Sequence, residues 1–296
     1  MQDFLTLTLS ILMAMVVAAT PLLLAATGEL VTEKSGVLNL GVEGMMLVGA
    51  VLAFAATSAS GSHTFGILAG AGGGILMSLL FAALTLGLMA NQVATGLALT
   101  LFGVGFSALL GKSFLGFPIP GLPKLFLDVD FLVILSLVLL LATHWVLYHS
   151  RPGLVLRAIG ENPEAAHAVG YPVRLVRLLA VMYGGACAGL GGAYLSMAVT
   201  PMWAENMTAG RGWIALALVV FATWRPGRLL VGAYLFGGIS IAQLHLQAHG
   251  IPIPSQVLTM LPYLATILVL VLISSDASRI RLNAPAAIGK IFYPDR

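Results

Sequence analysis

Asn162-Pro163-Glu164-Ala165-Ala166-His167-Ala168-Val169-Gly170 is a polar island in a chain otherwise apolar enough to live in a bilayer. Its ends are written in its residues. Asn162 is suited to cap the first helix amides, Pro163 fits the first helical position where no amide bond is lost, and Glu164 complements the positive helix end. Gly170 and Pro172 then stop the helix. From Pro163 to Val169 the segment makes about two turns at 1.5 Å per residue, too short to hold its shape alone in water. It therefore requires a partner surface. Arg151, Arg157, Glu161, Arg174 and Arg177 surround it with a mixed-charge collar that lipid does not tolerate, so the interval is expected to face water.

The rest of the chain sets the fold class. Of 296 residues, 59% are hydrophobic, 8% are charged and 34 are glycine, with a mean hydropathy of +1.01. A soluble core of this size does not hide so much apolar surface from water. The expectation is an all-α polytopic transmembrane bundle, read as a single domain over 1–296. A bilayer core needs roughly 20 apolar residues per helix, and about nine candidates (8–10) fit. They are Phe4 to Ala26, Leu40 to Thr57, Phe65 to Ala90, Gln92 to Leu110, Phe131 to Tyr148, Val176 to Met197, Trp213 to Thr223, Leu229 to Leu246, and Gln256 to Ser274. The seventh is short, and either begins nearer Pro201 or is a broken helix.

Placing the 149–177 loop in the cytoplasm and alternating outward puts eleven of the 14 basic residues inside. These are Lys34, Arg151, Arg157, Arg174, Arg177, Arg225, Arg228, Arg279, Arg281, Lys290 and Arg296, against Lys112, Lys124 and Arg211 outside. The bias follows the positive-inside rule, and makes the 275–296 tail cytoplasmic as well. With nine spans the N-terminus lies outside. The net charge of +3 thus reports orientation in a membrane and gives no case for nucleic acid. The single cysteine, Cys187, falls in an apolar span and forms no internal disulfide. Met1-Gln2-Asp3 supplies no positive flank, so the first span reads as retained rather than as a cleaved signal. Trp145, Tyr148 and Trp224 are expected as interfacial anchors on the inner side, Trp203 and Trp213 on the outer. Glycines and alanines through Gly66–Gly74 and Gly184–Gly192 read as sites of close helix approach.

Glu29-Leu30-Val31-Thr32-Glu33-Lys34-Ser35-Gly36-Val37-Leu38-Asn39-Leu40-Gly41-Val42-Glu43-Gly44 breaks the start of the second span with glycines, an amide and carboxylates. Such a segment persists at membrane depth only where protein or a water-filled cavity satisfies it. Asn39 is expected to cap the following helix, with Glu43 in its first turn. Two readings of Glu43 stand side by side: it lines the translocation route, or it pairs with a neighbouring helix. Asn91, Gln92, Thr95 and Thr100 make a similar polar line at the start of the fourth span, suited to a polar solute or to bonds between helices. Glu205, Asn206 and Arg211 are expected on the outer side.

These motifs carry a resemblance. Gly36-Val37-Leu38-Asn39-Leu40-Gly41-Val42-Glu43-Gly44, Gly160-Glu161-Asn162-Pro163-Glu164-Ala165-Ala166, Asn91-Gln92-Val93-Ala94-Thr95-Gly96-Leu97-Ala98-Leu99 and Ala209-Gly210-Arg211-Gly212-Trp213-Ile214-Ala215-Leu216-Ala217 resemble those of permease subunits of bacterial ABC importers. The nearest branch is the ribose-type, simple-sugar and nucleoside permeases of the branched-chain amino acid/ribose family. The resemblance implies an inner-membrane subunit that pairs with a sister permease or a second copy of itself. It also implies two cytoplasmic ABC ATPases docked through the loop, and an extracytoplasmic solute-binding protein that delivers cargo. Arg157, Gly160, Glu161, Asn162, Pro163, Glu164, Ala165, Ala166 and Gly170 then form the ATPase-coupling loop. Asn39, Glu43, Asn91 and Thr95 are the candidate translocation residues. The general permease pattern of Glu-Ala-Ala with a following glycine is met by Glu164, Ala165, Ala166 and Gly170, and its later apolar part is not matched. Nucleosides or purine-like solutes are the implied cargo, with simple sugars as the alternative.

No catalytic residue, metal site or cofactor is expected. The nearest match to a phosphate-binding loop, Phe106-Ser107-Ala108-Leu109-Leu110-Gly111-Lys112-Ser113, has Phe106 where the first glycine belongs. The energy source is therefore expected in another chain. An ion-coupled secondary transporter is the rival that Glu43 and the broken span allow, but it gives the capped loop helix no purpose. An intramembrane serine hydrolase built on Ser240 and His245 fails because the two do not share a helical face and no carboxylate orients them. The remaining histidines, among them His144, His149 and His249, show no zinc spacing.

Overall fold

The largely apolar stretch from Gln2 to Lys34 folds as one long helix, α1, with Pro21 inside it and Glu29, Glu33 and Lys34 in its last turns. This is a computed structural model, and it describes residues 2–126, 129–248 and 283–293, with scattered positions between 257 and 271. Next come α2 (Val42–Ser60), α3 (His63–Ala82), α4 (Gln92–Gly111) and α5 (Phe131–His149). Two short helices follow, α6 (Arg151–Glu161) and α7 (Pro163–Ala168), and then α8 (Val173–Tyr194), α9 (Arg211–Phe221) and α10 (Pro226–Ala248). Single π turns over Ala83–Gly87 and Leu195–Val199 extend α3 and α8. A two-stranded antiparallel ribbon, β1 (Lys124–Phe126) with β2 (Val129–Asp130), precedes α5. Among the described residues, 7 helices are long and apolar enough to cross a membrane. The expected ninth span, Gln256 to Ser274, lies largely outside them, as do Arg279, Arg281 and Arg296.

The glycine runs explain how the helices assemble. A methyl group added to Gly74 of α3 would lie 1.9 Å from the Gly185 carbonyl oxygen of α8, and one on Gly49 of α2 would lie 2.4 Å from Gly189 Cα. On the α1 side, a methyl at Gly28 would meet Cys187 Cβ at 2.6 Å. Helix α8 is thus the hub against which α1, α2 and α3 pack almost backbone to backbone, a mode that works where lipid offers no hydrophobic driving force. Beside this seam the larger side chains Phe54, Phe81, Tyr194, Trp203 and Phe236 are fully buried.

Three sequence expectations need correction. The first span does not end at Ala26: α1 continues through Glu29 and Glu33, so the interruption shrinks to the loop 35–41. Its polar side chains stay helical because partners inside the protein satisfy them. Thr32 Oγ1 reaches the Gly28 and Ala180 carbonyls at 3.3 Å, and Trp224 Nε1 donates to Glu33 Oε2 at 2.5 Å. Two expected interfacial tryptophans are consequently core residues: Trp224 is spent on Glu33, and Trp203 packs against Gly111. Trp145 and Trp213 do stay exposed.

The seventh candidate is a half-helix. At 1.5 Å per residue, α9 is roughly 16 Å long, about half a bilayer core. Its C-terminal end lies with Glu33 and Asn283, at the end of the bundle that carries α6 and α7. Its start, Arg211, is the opposite end of this short helix, next to the Gly210 and Gly212 amides that Glu43 holds. Left-handed Thr223 and Trp224 end α9 and turn the chain into α10.

Candidate functional site

At mid-bundle the loop 35–41 folds back along α1 and delivers α2 to the start of α9. Asn39 makes the bend: its amide donates to Glu29 Oε1 at 3.3 Å and its side-chain oxygen accepts from Gly41 N at 2.9 Å. It does not cap α2, whose N-cap is Gly41 with no side-chain bond. Glu43 does something the helix-dipole reading did not foresee. Its Oε1 accepts from Thr208 Oγ1 at 2.5 Å and Gly210 N at 2.8 Å, and its Oε2 accepts from Gly212 N at 2.6 Å. Gly210 is the left-handed N-cap of α9 and has no side chain to offer, so a carboxylate from α2 satisfies the free amides of another helix. Glycine is required at 212, where a Cβ would sit 2.6 Å from Glu43 Cα. The carboxylate is thereby buried with both oxygens occupied.

The polar start of α4 holds the same loop from the other side. Gln92 Oε1 accepts from Leu38 N at 2.8 Å, and Thr100 Oγ1 donates to Leu40 O at 2.9 Å. Between them Gly96 lets Leu40 approach, since a methyl there would meet Leu40 N at 2.7 Å. Thr95 is buried on α4, whereas Asn91 is exposed and caps it by accepting from Ala94 N at 3.0 Å. Asn39, Glu43, Gln92 and Thr100 thus gather around one folded-back loop.

The second site is the platform formed by α6 and α7. Helix α7 forms as its residues dictate: Asn162 Oδ1 accepts from Ala165 N at 2.9 Å, Pro163 opens the first turn and Glu164 lies in it. At the far end Gly170, at φ +95°, donates to His167 O at 2.8 Å while Tyr171 N reaches Ala166 O at 3.1 Å. This pair of bonds closes a Schellman cap. Helix α6 was missed in the sequence, although Ser150 followed by Pro152 is a readable start signal. Ser150 Oγ accepts from Gly153 N at 3.2 Å. Gly160 seats the platform on the bundle, since a methyl there would lie 2.2 Å from Lys34 O. Arg157 stacks its guanidinium 5.2 Å from the Tyr148 ring centroid. Glu161, Asn162, Glu164, Ala165, His167, Val169 and Gly170 are exposed, Pro163 is half-buried, and Ala166 is buried beneath them.

Arg177 departs from the water-facing collar expected of it. It is 1% exposed, with Nε donating to Ser35 O at 3.1 Å and Nη1 to Lys290 O at 3.3 Å. The carbonyls that accept from it come from the loop 35–41 region and from residues 283–293, a segment with no periodic signal in the sequence. That segment crosses the platform. Lys34 Nζ donates to Asn283 O at 2.7 Å, Ala287 N to Gly160 O at 2.9 Å and Gly289 N to Gly36 O at 3.1 Å. Its Phe292 packs with Ile159, Ala166 and Val173, and lies edge-on to His167 at 5.5 Å. The Glu29 and Glu33 pair, one helical turn apart on α1, was also passed over as a structural unit. Both are buried, and each holds an element that lies against α1, the loop at Asn39 and the α9–α10 turn at Trp224.

Among the described residues no three His, Cys, Asp or Glu side chains converge as a metal cluster. Phe106 to Gly111 of the phosphate-loop-like stretch is helical, continuous with α4, where a phosphate cradle needs a loop.

Residues 11–273 match the family described as branched-chain amino acid transport system / permease component. The TsgC13 protein of Haloferax volcanii, provisionally named a glucose ABC transporter permease, is 40% identical over 94% of this chain and 95% of its own length. The nucleoside ABC transporter permease NupC of Lactococcus lactis is 34% identical over 91% of this chain and 94% of its own. The guanosine ABC transporter permease NupQ of Bacillus subtilis is 32% identical, covering 87% and 89% respectively.

Proposed function

This chain belongs to the permease-component family of branched-chain amino acid transport systems and is the membrane subunit of an ABC importer, and on that premise we propose that it carries nucleosides or purine-like solutes inward. As an ABC permease it works with ATPase and substrate-binding partners, and does not itself hydrolyse ATP. The finer assignments are ours. We place the ATPase contact on α6 and α7, at Arg157, Gly160, Glu161, Asn162, Pro163, Glu164, Ala165, Ala166 and Gly170. One observation supports this above the rest: α7 is capped at both ends by its own chain and still turns Glu164, His167 and Val169 outward. A helix that short and that well finished is a bearing surface. Its end of the bundle, which also carries Lys34, Arg225 and Lys290, faces the cytoplasm on the positive-inside argument; residues 283–293 lie there with it, and the same argument makes the 275–296 tail cytoplasmic.

The passage forms between this chain and a sister permease or a second copy. Asn91 and Thr95 at the start of α4 are the solute-facing candidates, while Asn39 and Glu43 set the wall by fixing where α2 and α9 begin. Nucleotide-driven closure of the ATPases pushes α7 and switches the cavity from outward to inward access. The nucleoside cargo follows the names of NupC and NupQ; a simple sugar is the second reading, favoured by the 40% identity to TsgC13. Uptake of labelled guanosine by vesicles holding the permease, its ATPases and its binding protein tests both. Saturable, ATP-dependent uptake that excess glucose leaves unchanged supports the nucleoside. ATP-dependent accumulation of labelled glucose in the same vesicles, with none of guanosine, overturns it in favour of the sugar.

A further inference from the structure

We propose that residues 283–293 are a transmission strap, which carries displacement of α7 to the loop 35–41 and thereby to the Glu43 junction; this rests on α7 being the ATPase contact. The loop 35–41 is buried and makes no direct contact with the exposed face of α7. Two things lie between them: Gly160 of α6, packed directly against Lys34 and Gly36, and the strap, which bonds to both sides. At its distal end Phe292 is buried in the cluster of Ile159, Ala166 and Val173, and its ring meets His167. In the middle, the amides of Ala287 and Gly289 are spent on the carbonyls of Gly160 and Gly36, two glycines on different elements. The carbonyl of Lys290 accepts from Arg177 at 3.3 Å and from Gln92 Nε2 at 3.5 Å, which joins α8 and α4 to the same point. Asn283 closes the near end on Lys34.

The geometry makes this more than a packed segment. Gly36 and Gly289 face each other with φ of +86° and +72°, conformations that glycine alone adopts without strain, and a methyl on Gly36 would meet Arg177 Nη2 at 2.9 Å. Gln92, on α4, bonds the strap with one end of its amide and the loop 35–41, through Leu38 N, with the other. The loop that positions Asn39 and Glu43 is therefore tied to the strap at Gly36 and through Gln92, and the strap is tied to the platform at Gly160 and Phe292. Discrete hydrogen bonds and one buried ring form a contiguous connection from the docking helix to mid-bundle. Phe292 is a positioning residue here, with no contact to solute.

The test uses the complete transporter in vesicles and reads three quantities: ATPase co-purification, binding-protein-stimulated ATP hydrolysis, and solute moved per ATP. Phe292→Ala is expected to keep the ATPases bound and hydrolysing while solute per ATP falls about fivefold or more, the low end of a coupling free energy between linked sites. Phe292→Leu is expected to restore most of it. A purely structural role would instead lower all three together. A second variant pair, His167→Cys with Phe292→Cys, joined by a short bifunctional thiol reagent, is expected to regain coupling, because the strap and α7 move as one. Loss of transport on joining, or an unchanged solute-to-ATP ratio in Phe292→Ala, overturns the strap. Gly170→Val serves as the control for the docking reading: if it leaves both ATPase binding and coupling intact, α7 is not the contact, whatever Phe292 does.

Discussion

The Glu43 junction and the α7 platform are both helix starts that depend on a polar side chain, and they solve the problem in opposite ways. At the junction, α9 has no cap of its own and borrows a carboxylate from α2, with both oxygens used and Glu43, Thr208 and Gly212 buried. At the platform, α7 brings Asn162 and Gly170 from its own sequence and leaves Glu164 and Val169 exposed. Borrowed capping locks two segments that are distant in sequence, so it suits a part that moves as a block. Self-capping keeps a short helix formed while its outer face stays available, which suits a part that another protein holds. The same element of helix chemistry thus serves rigidity inside the bundle and contact outside it.

This contrast can be broken from the junction side with the largest effect. Glu43→Ala strands the donors of Thr208, Gly210 and Gly212 in the interior, and is expected to destabilise the fold by about 3 kcal/mol or more. Thermal unfolding in detergent and the yield of monodisperse protein check it, and a wild-type melting profile would show that Glu43 is not a latch. Next in size is Gly189→Val. Its added methyls collide with Gly70 O, which a Cβ would already approach to 2.2 Å, and the expected cost is about 1–3 kcal/mol from splaying α3 and α8. Gly170→Val forces a branched side chain to φ +95° in open space, so the cost is local strain of about 1–3 kcal/mol within α7. Coupled uptake is expected to fall while the bundle's unfolding temperature holds. Smallest in stability is Glu164→Gln, on an exposed position, expected within about 0.5 kcal/mol of wild type. Its effect is expected only in coupling, measured as solute moved per ATP, and equal ratios in both proteins would remove Glu164 from the contact.

The platform was the more legible of the two because its signals are local. Asn162, Pro163, Glu164 and Gly170 each act within a few residues, so the sequence states the helix, its ends and its exposure, and Ser150 with Pro152 states the start of α6 in the same local way. The glycine runs likewise announced close packing, though not that α8 is the hub. The junction was legible only as an anomaly. Glu43 stood out as a carboxylate at membrane depth, but its partners lie at 208–212, and nothing near position 43 names them. The same distance in sequence hid the pairing of Glu33 with Trp224 and made Trp224 read as an interfacial anchor. The short α9 is a related case: its length flagged a broken helix, while its cap comes from another span. Residues 283–293 carry no period at all, and their order comes from backbone amides meeting carbonyls of Gly36 and Gly160, a pattern that side-chain identity does not encode.

The central claim is that this permease moves solute only when a separate ATPase works on it through α7. Guanosine accumulation in vesicles, with ATP supplied on the α7 side, tests that claim in one assay with and without the ATPase chains. Accumulation against a gradient only when the ATPases and ATP are present, abolished by Gly170→Val, is the expected result. Accumulation by the permease alone under a proton or sodium gradient would contradict it.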